Sequence, residues 1–292
     1  MSLQSITTKA ATLIEALPYL QAFRGQTFLI KMGGSAMENP ELVKKVMRDI
    51  VFLEVAGVNP VIVHGGGKAI SAAMKEAGLE AKFIGGFRVT TPEAINIVQH
   101  TLSGKINPGL VDMLTDLGGK ARGIPGSEVF VGRRIQAIND TGEKEDIGRV
   151  GEAIGCNLEL IQSSISSETV PVISPLASEH DSGKPLNVNA DLAAACLAKA
   201  LKVTKLVYLS DVPGILSDRD DPDTLIPSID RSMAAKLIDN GTIAGGMLPK
   251  INSALDALAN GVGKVHFIDG RMPHSLLLEI FTRSGIGSEI VQ

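Results

Sequence analysis

The sequence predicts an α/β protein built around a mainly parallel sheet, because a buried strand, a glycine run and a helix follow one another twice near its start. The apolar segment 28–32 runs into two glycines, and a helical pattern follows over about 40–56. A second apolar segment, 60–64, runs into three glycines at 65–67, and a helix is expected to about Glu76. Repeats of this kind form βαβ units with parallel strands.

A different rhythm occupies about 127–150. Segments 128–131 and 135–138 alternate or run apolar, and a turn candidate follows at 139–142. This pattern indicates antiparallel hairpins inserted into the α/β frame.

The α/β pattern then resumes. Strands are expected at 170–173, 206–209 and 264–268, and an alanine-rich helix is expected over 190–200. A boundary between two lobes is expected near residue 203, although no linker composition marks it.

Helical spacing predicts three further helices. One covers 5–22, ahead of the first strand, and Pro18 is expected to kink or interrupt it. Two separate helices are expected over 92–102 and 105–117.

Composition argues against several classes of function. Lys plus Arg number 28 and Asp plus Glu 32, for a net charge of −4, so the chain lacks the footprint of a nucleic-acid-binding protein. The 292 residues, 44% of them hydrophobic, suit one large α/β unit or two modest lobes. With no 18-residue apolar window and no signal-like start, neither a membrane span nor a signal peptide is expected. Cys156 and Cys196 show no metal spacing, so they are expected to be small core residues of a cytoplasmic protein.

The glycine run before Lys68 invites comparison with phosphate-binding loops, but it matches neither standard fingerprint. The Walker A pattern requires a glycine where Ile62 stands and a hydroxyl residue where Ala69 stands, and the dinucleotide pattern fails at Ile70. Glycines between a strand and a helix still expose N–H groups at a helix N-terminus, which suits an anion. Two interpretations remain open, an anion site and a tight βα turn.

A second strand end carries similar chemistry. Lys31 closes the first strand, and Gly33 and Gly34 follow it, so a point charge and bare amides lie together; a solvated lysine is the alternative. Asp191, near the start of the alanine-rich helix, is either a capping acid or an anchor that orients lysines. Asn187, just before it, is able to hydrogen-bond a substrate amide or carboxylate.

Six motifs extend this pattern from about residue 27 to the C-terminus. They are KMGGS at 31–35, VIVHGGG at 61–67, GFRVT at 86–90, LNVNAD at 186–191, LSDVPGIL at 209–216 and GGMLPK at 245–250. Each is weak alone, but in this order they resemble the amino-acid kinase superfamily. GGFRVT together with NVNAD narrows the resemblance to the branch that acts on acetylglutamate.

The resemblance implies a three-layer αβα sandwich, the amino-acid kinase fold, in two lobes plus an N-terminal helix. The helix would occupy 1–24, an acetylglutamate-binding lobe 25–203, and an ATP-binding lobe with an arginine site 204–292. The implied reaction is ATP-dependent phosphorylation of the side-chain carboxylate of N-acetyl-L-glutamate, in arginine biosynthesis.

The resemblance also implies a role for individual residues. Those implied to act on the transferred phosphoryl group are Lys31, Lys250, Asp191, Gly33 and Gly34. Those implied to bind acetylglutamate are Gly66, Gly67, Asn187 and Arg88, the last on the α-carboxylate. Those implied to hold the nucleotide are Ser210, Asp211, Val212, Gly214, Ile215, Leu216 and Gly245.

The residue types fit this chemistry. A carboxylate nucleophile is ionised near neutral pH and needs no general base, so the task is to bring two anions together. His64, beside the glycines, is therefore expected to be structural. Mg²⁺ is expected to be held by ATP and water, without ligands from the protein, since no DxD cluster follows a predicted strand.

Within this family, an extra N-terminal helix accompanies hexameric, arginine-inhibited members, in which such helices interlace dimers into a trimer of dimers. The residues that resemble the arginine site are Lys205, His266, Glu279 and Gly287. Glu279 would pair with the guanidinium. The alternative is a helix that packs on its own core and an ordinary closing element at the C-terminus.

Other substrates and functions compete with this interpretation. Related kinases act on aspartate, glutamate or acetylaminoadipate, and acetylaminoadipate differs from acetylglutamate by only one methylene. A catalytically silent arginine sensor is a rival from another class, against which Lys31, Asp191 and Lys250 argue. Some relatives bind a PII signalling protein, of which the sequence gives no secure sign.

Overall fold

The computed structural model describes residues 3–292, with all of their side chains except those of residues 3–9, 35 and 36. The strands, in chain order, are β1 (Thr27–Met32), β2 (Asn59–His64), β3 (Phe83–Ile84), β4 (Phe87–Arg88), β5 (Ala121–Ile124), β6 (Phe130–Ile138), β7 (Lys144–Cys156), β8 (Val170–Ile173), β9 (Leu176–Glu179), β10 (Pro185–Val188), β11 (Lys205–Ser210), β12 (Ser228–Ile229), β13 (Lys264–Asp269) and β14 (Ser288–Ile290). The α-helices are α1 (Leu3–Phe23), α2 (Pro40–Val55), α3 (Gly67–Glu76), α4 (Ala94–Gln99), α5 (Asn107–Asp116), α6 (Glu159–Ser166), α7 (Ala190–Leu201), α8 (Arg231–Asp239), α9 (Met247–Ala259) and α10 (Ser275–Ile280).

The central sheet is mainly parallel, as predicted. Its eight strands lie in the order β12-β14-β13-β11-β1-β2-β8-β5, and only the β13–β14 pair is antiparallel. β1 lies in the interior of the sheet, between β2 and β11. The carboxyl ends of these parallel strands therefore meet at one edge, where open α/β sheets bind ligands.

Helices cover both faces of the sheet, which confirms the three-layer αβα architecture. Successive side chains of a strand point to opposite faces. Ile30 and Met32 of β1 belong to a core cluster that includes residues of α2, α5 and α10. Leu29 belongs to a separate cluster that includes residues of α7 and α9. By the same alternation, Lys31 lies on the α7 face of the sheet.

Strands β6, β7, β9 and β10 close into a small four-stranded barrel beside the sheet. The predicted antiparallel hairpin is β6 paired with β7. Segments 128–131 and 135–138 do not form two strands, however, since β6 begins at Phe130 and continues through 135–138. Register shifts at 131/132 and 134/136 mark bulges, which change the alternation that the sequence displays.

The two helices expected over 92–102 and 105–117 form one continuous helical run. A π-helical segment, His100–Ile106, joins α4 directly to α5. The gap between the two predicted helices contains Gly104, but glycine weakens a helix interior without ending it. The π turn brings Leu102 close to the glycine loop that follows β2.

α1 begins ahead of the first strand, as predicted, but Pro18 does not interrupt it. Near its C-terminus, Tyr19 and Phe23 pack against the core beside α10. Farther back, Leu13 and Ile14 are about 70% and 68% exposed. One end of this helix thus docks on its own subunit, while its middle presents apolar side chains to solvent.

The cysteines lie at the edge of the core, each partly exposed. Cys156 ends β7 and Cys196 lies in α7, with their Sγ atoms 3.6 Å apart. This contact joins the barrel to the helix that begins near Asp191. In the described part of the chain, none of the helices is both long enough and apolar enough to cross a bilayer.

Candidate active site

A cavity of about 240 Å³ opens at the carboxyl ends of β1 and β2. It lies between the glycine-rich loops and the start of α7. Eight residues that the sequence singled out share its lining: Lys31, Gly33, Gly34, Gly66, Gly67, Arg88, Asn187 and Asp191.

Lys31 reaches this cavity because the alternation of β1 turns it toward α7. Its side chain folds back over the following loop, so a Cβ added at Gly33 would lie 2.2 Å from the lysine Nζ. Glycine at this position therefore makes room for the ammonium group. The Nζ atom lies 2.7 Å from Oδ1 of Asp191, and both side chains are largely buried.

Asp191 does not cap α7, and that interpretation of the sequence is wrong. The N-cap is Asn189, whose Oδ1 accepts hydrogen bonds from the backbone N–H groups of Asp191 and Leu192. The carboxylate of Asp191 is therefore free to pair with Lys31 and Lys250. Oδ1 is buried without an aligned hydrogen bond from the described residues, so its contact with Lys31 is a charge pair.

Lys250 approaches the same carboxylate from the other side. It lies in the first turns of α9, and its Nζ is 3.9 Å from Oδ2 of Asp191. Asp191 thus lies between two ammonium groups from opposite parts of the chain. This arrangement provides two positive charges around Asp191, one of them on the cavity wall, which suits a phosphoryl group.

The glycine loop after β2 is both a tight turn and part of the cavity wall. Gly66 is the N-cap position of α3, and a Cβ there would lie 2.7 Å from Leu102 and 2.6 Å from Ile106. A side chain at this position would therefore displace the ends of the Leu102 and Ile106 side chains. Lys68, in contrast, is exposed and pairs with Glu38 at 2.6 Å.

His64 is structural, as expected. It is fully buried, and burial lowers the pKa of its imidazole to about 4, so the ring is neutral near pH 7. Nδ1 donates to the carbonyl of Gly65 at 2.8 Å, because that oxygen can only accept. Nε2 then accepts from Asn107 Nδ2 at 3.2 Å. The peptide preceding Gly66 is therefore held in one orientation.

Arg88, in β4, lines the cavity. One guanidinium nitrogen donates to the carbonyl of Gly67 at 2.7 Å, and the group stacks 4.6 Å from the ring centre of Phe83. Burial lowers the pKa of this guanidinium, yet arginine stays charged in proteins. The side chain is 8% exposed, so it supplies a held, partly desolvated positive charge.

Residues predicted to hold the nucleotide follow β11, at the same edge of the sheet. Asp211 lies next to the glycine loop that follows β1, with its carboxyl carbon 3.6 Å from where a Cβ of Gly34 would lie. Gly214 has a φ of +154° and packs so closely on Ser288 that a Cβ would lie 2.6 Å from its hydroxyl. Ile215 is 3% exposed, and its N–H donates to that hydroxyl at 2.8 Å.

The remaining four nucleotide candidates, like Asp211, Gly214 and Ile215, lie outside the lining of the cavity. Ser210 and Val212 contact each other within the loop, and Leu216 bridges to Leu225. Gly245 has a φ of +58° and lies just before α9. None of these residues belongs to the lining of the 240 Å³ cavity, so their assignment stays a prediction.

The residues predicted to bind arginine lie around a separate cavity of about 550 Å³, beside the C-terminal part of α1. Lys205 Nζ lies 3.0 Å from His266 Nε2, and His266 Nδ1 lies 2.7 Å from Glu279 Oε1. Oε2 of Glu279 accepts the N–H groups of Ile286 and Gly287 at 2.8 and 2.9 Å. The four predicted residues are therefore brought together, three on the cavity wall and Gly287 behind Glu279.

Burial sets the charge state of this second cluster. It lowers the pKa of Lys205 to about 8, helped by the nearby charge of Lys264. It also lowers the pKa of His266, so the imidazole is neutral and relays hydrogen bonds from Lys205 to Glu279. Hydrogen bonds from His266 and two amides offset the cost of burying Glu279 and lower its pKa, so its carboxylate is ionised.

Several residues of the active-site cavity were not foreseen from the sequence. Phe83 and Phe87 line it from the short β3–β4 hairpin, and Leu102 lines it from the π-helical segment. Thr90, which hydrogen-bonds Asn187 outside the cavity lining, belongs like Phe87 to the motif GFRVT, but the sequence assigned neither residue a role. The one available signal was the clustering of two of eight phenylalanines beside Arg88.

Comparison with known proteins identifies the family of the chain. Residues 26–269 match the amino acid kinase family. The chain is 64% identical over 284 residues to an acetylglutamate kinase from Akkermansia muciniphila, covering 97% of this chain and 96% of that one.

Solved structures with a similar fold include two of N-acetylglutamate synthase from Neisseria gonorrhoeae. One, complexed with coenzyme A and N-acetyl-glutamate, is 26% identical with a TM-score of 0.84. The other, complexed with coenzyme A and L-arginine, is 25% identical with a TM-score of 0.79. Each alignment covers 97% of this chain, which spans only 63% and 65% of the synthase chains. On the family match and the identity to its relatives, the chain belongs to the amino acid kinase family, among the acetylglutamate kinases.

Proposed function

We propose that this chain transfers the γ-phosphoryl group of ATP to the side-chain carboxylate of N-acetyl-L-glutamate, a step of arginine biosynthesis. The product is N-acetyl-L-glutamyl 5-phosphate. The observation that carries the proposal is the array Lys31–Asp191–Lys250, of which Lys31 and Asp191 line the same cavity as Arg88. These cations suit a substrate with two carboxylates, one to be anchored and one to react.

The phosphoryl group is stabilised by the lysines and the first glycine loop. Lys31 and Lys250 place positive charge on either side of Asp191, and the amides of Gly33 and Gly34 supply hydrogen-bond donors. The acceptor carboxylate is already ionised, so the protein has no proton to remove from it. Its contribution is to hold two anions in line and to offset their repulsion.

Acetylglutamate is bound at the other side of the cavity. Arg88 pairs with its α-carboxylate, and the bare amides of Gly66 and Gly67 contact the reacting end. Asn187 contributes an amide to the same ligand. Leu102, packed against Gly66, supplies an apolar surface for the acetyl methyl group.

ATP binds on the side of β11, β13 and α9. In this proposal, residues 25–203 form the lobe that binds the substrate and residues 204–292 form the lobe that binds the nucleotide. Mg²⁺ enters with the nucleotide and neutralises phosphate charge. The carboxylate of Asp191 is engaged by the two lysines, so the site fits an ion held by phosphate oxygens and water. Because ATP and the product of this reaction are used inside the cell, we place the reaction in the cytoplasm.

One assay tests this proposal. ATP-dependent acyl-phosphate formation is trapped with hydroxylamine and measured with acetylglutamate, acetylaminoadipate, glutamate and aspartate. The proposal expects the highest kcat/KM with acetylglutamate. Turnover of glutamate or aspartate alone would assign another carboxylate kinase activity, and failure with all four would support the silent sensor.

Arginine inhibition is a second proposal, favoured by the cluster around Glu279. The 550 Å³ cavity carries two acidic side chains, Glu279 and Glu289, which suit the guanidinium and the α-ammonium group of arginine. Tyr19 and Phe23 of α1 line the same cavity, so the N-terminal helix lies next to the site. A related synthase has been solved as a complex with L-arginine. The exposed apolar face of α1 supports a hexamer in which these helices interlace dimers.

A further inference from the structure

We propose that Thr90 is a positioning residue that sets which end of the Asn187 side-chain amide faces the substrate, an inference that rests on the proposed function. Thr90 is fully buried and does not belong to the lining of the cavity. Its hydroxyl lies between Arg88 and Asn187, two residues that line the cavity. Oγ1 is 2.9 Å from the backbone carbonyl of Arg88 and 3.1 Å from Nδ2 of Asn187.

The chemistry of these three groups leaves one arrangement. A backbone carbonyl can only accept a hydrogen bond, so the hydroxyl of Thr90 donates its single hydrogen to Arg88. Toward Asn187 the same oxygen can then only accept. The end of the Asn187 amide that faces Thr90 must therefore be the NH₂ group, and the carbonyl end, Oδ1, points away from Thr90.

Backbone contacts with β7 hold the hydroxyl in place. The N–H of Thr90 donates to Ile147 at 3.0 Å, and its carbonyl accepts from Arg149 at 2.6 Å. Gly148, between them, has a φ of +76°, and a Cβ there would lie 2.3 Å from the Thr90 carbonyl oxygen. The glycine thus permits a backbone approach that no other residue allows.

Asn187 is held against the same strand. Asn187, which is part of β10, pairs with Val150 of β7. Val150 lies two residues after Gly148, the residue to which Thr90 bridges. One strand therefore sets the distance between the hydroxyl and the amide. The spacing does not depend on flexible side chains, which is what precise orientation of a ligand-binding group requires.

The consequence is a specified acceptor on the cavity wall. With Nδ2 committed to Thr90, Asn187 presents Oδ1 to the ligand, and we assign this oxygen to the N–H of the acetamido group. Arg88, whose backbone is tied to the same hydroxyl, takes the neighbouring carboxylate. Thr90 thereby connects Arg88 and Asn187, the two residues that bind the α-carbon end of the substrate, and does not itself contact the substrate.

Thr90→Val tests this role, because it keeps the shape of the side chain and removes the hydroxyl. The Asn187 amide then loses its partner, and a buried amide without a partner is costly. We expect KM for acetylglutamate to rise about tenfold, while KM for ATP changes by less than about twofold. Thr90→Ser, which keeps the hydroxyl, should restore a KM near that of the wild type.

Thr101→Val is the matched control. Thr101 is 3% exposed, and its hydroxyl meets no partner among the described residues, so the same substitution removes a buried hydroxyl that orients nothing. Its KM for acetylglutamate should stay within about twofold of the wild type. Should Thr90→Val fail to fold, Thr90→Cys carries the same test, since a thiol is only a weak donor and acceptor.

A double-mutant cycle separates positioning from general stability. In an Asn187→Ala background there is no amide to orient, so adding Thr90→Val should raise KM by less than about twofold. An equal rise in both backgrounds would overturn the inference, as would an unchanged KM in Thr90→Val alone. If the wild type does not phosphorylate acetylglutamate, the proposed function fails first, and the inference falls with it.

Discussion

The Nζ atom of Lys31 lies 2.7 Å from the carboxylate of Asp191, although the two residues are 160 positions apart in the chain. The pair forms because β1 turns Lys31 toward α7, while Asn189 caps α7 and leaves Asp191 free for the lysine. Lys250 completes the array at 3.9 Å. The carboxylate of Asp191 thus holds near each other two ammonium groups that would otherwise repel, before a phosphate group is bound.

Removal of Lys31 should reduce turnover far more than it weakens binding. Lys31→Ala is expected to lower kcat by on the order of 10²-fold or more, comparable to the loss of one preorganised oxyanion donor. Lys68→Ala is the matched control, since this lysine also adjoins a glycine loop but is exposed and pairs with the partly exposed Glu38. Its kcat should stay within about twofold. Near-normal turnover in Lys31→Ala would refute the assigned role.

Arg88 should be irreplaceable by lysine. Arg88→Lys keeps the charge but loses the planar fork and the stacking on Phe83, so KM for acetylglutamate should rise on the order of 30-fold. Arg133→Lys, on an exposed arginine, controls for the substitution itself. Steady-state kinetics with each substrate varied in turn distinguish the outcomes. A rise in KM for ATP alone would move Arg88 to the nucleotide side.

His64 should make folding stability depend on pH. Folding lowers the pKa of its imidazole from 6.5 to about 4, so between these values the unfolded chain binds a proton that the folded chain does not. The stability contribution is therefore complete above pH 6.5 and is lost progressively as the pH falls toward 4. Between pH 7 and pH 5 the loss from this group should be about 2 kcal/mol.

Urea unfolding at one fixed protein concentration measures this effect. His64→Gln removes the titrating group while keeping a donor and an acceptor beside Gly65 and Asn107. The difference in unfolding free energy between wild type and variant should shrink as the pH falls from 7 to 5. Parallel pH dependences would show that His64 is not buried in its neutral form.

The sequence predicted the sheet and the position of the cavity, because both depend on local patterns. Apolar runs ending in glycines place Lys31 and the loop at 65–67 at the carboxyl edge of adjacent strands. The mismatch of Ile62 and Ala69 with the Walker pattern was also informative, since the structure places Lys68 outside the active-site cavity.

What the sequence did not predict depends on distant contacts. Which of two neighbouring residues caps α7 is decided by the extended backbone of Asn189, and composition alone does not distinguish it from Asp191. The bond between Thr90 and Asn187 joins residues 97 positions apart. No sequence periodicity predicts such a pair, because the two residues meet only where both lie against β7.

Glu279 should determine sensitivity to arginine. Glu279→Gln removes the charge that would pair with the guanidinium, and inhibition by arginine should weaken at least about tenfold. Glu76→Gln, on an exposed residue at the end of α3, should leave the inhibition constant unchanged. Activity is measured against arginine concentration and normalised to the value without arginine. Inhibition of Glu279→Gln at wild-type concentrations would exclude this carboxylate as the arginine partner.

The N-terminal helix should carry the assembly of dimers into hexamers. Leu13 and Ile14 are apolar and exposed on α1, so they are available to a second copy of the helix, whereas Tyr19 and Phe23 are committed to the subunit's own core. Deletion of residues 1–24 should convert hexamers to dimers in analytical ultracentrifugation. Leu13→Asp is the finer variant, because it disturbs only the exposed face, and it should give the same result with α1 still attached. Hexamers that survive both changes would place the contact elsewhere. Dissociation by the deletion alone would assign assembly to other residues of the segment 1–24.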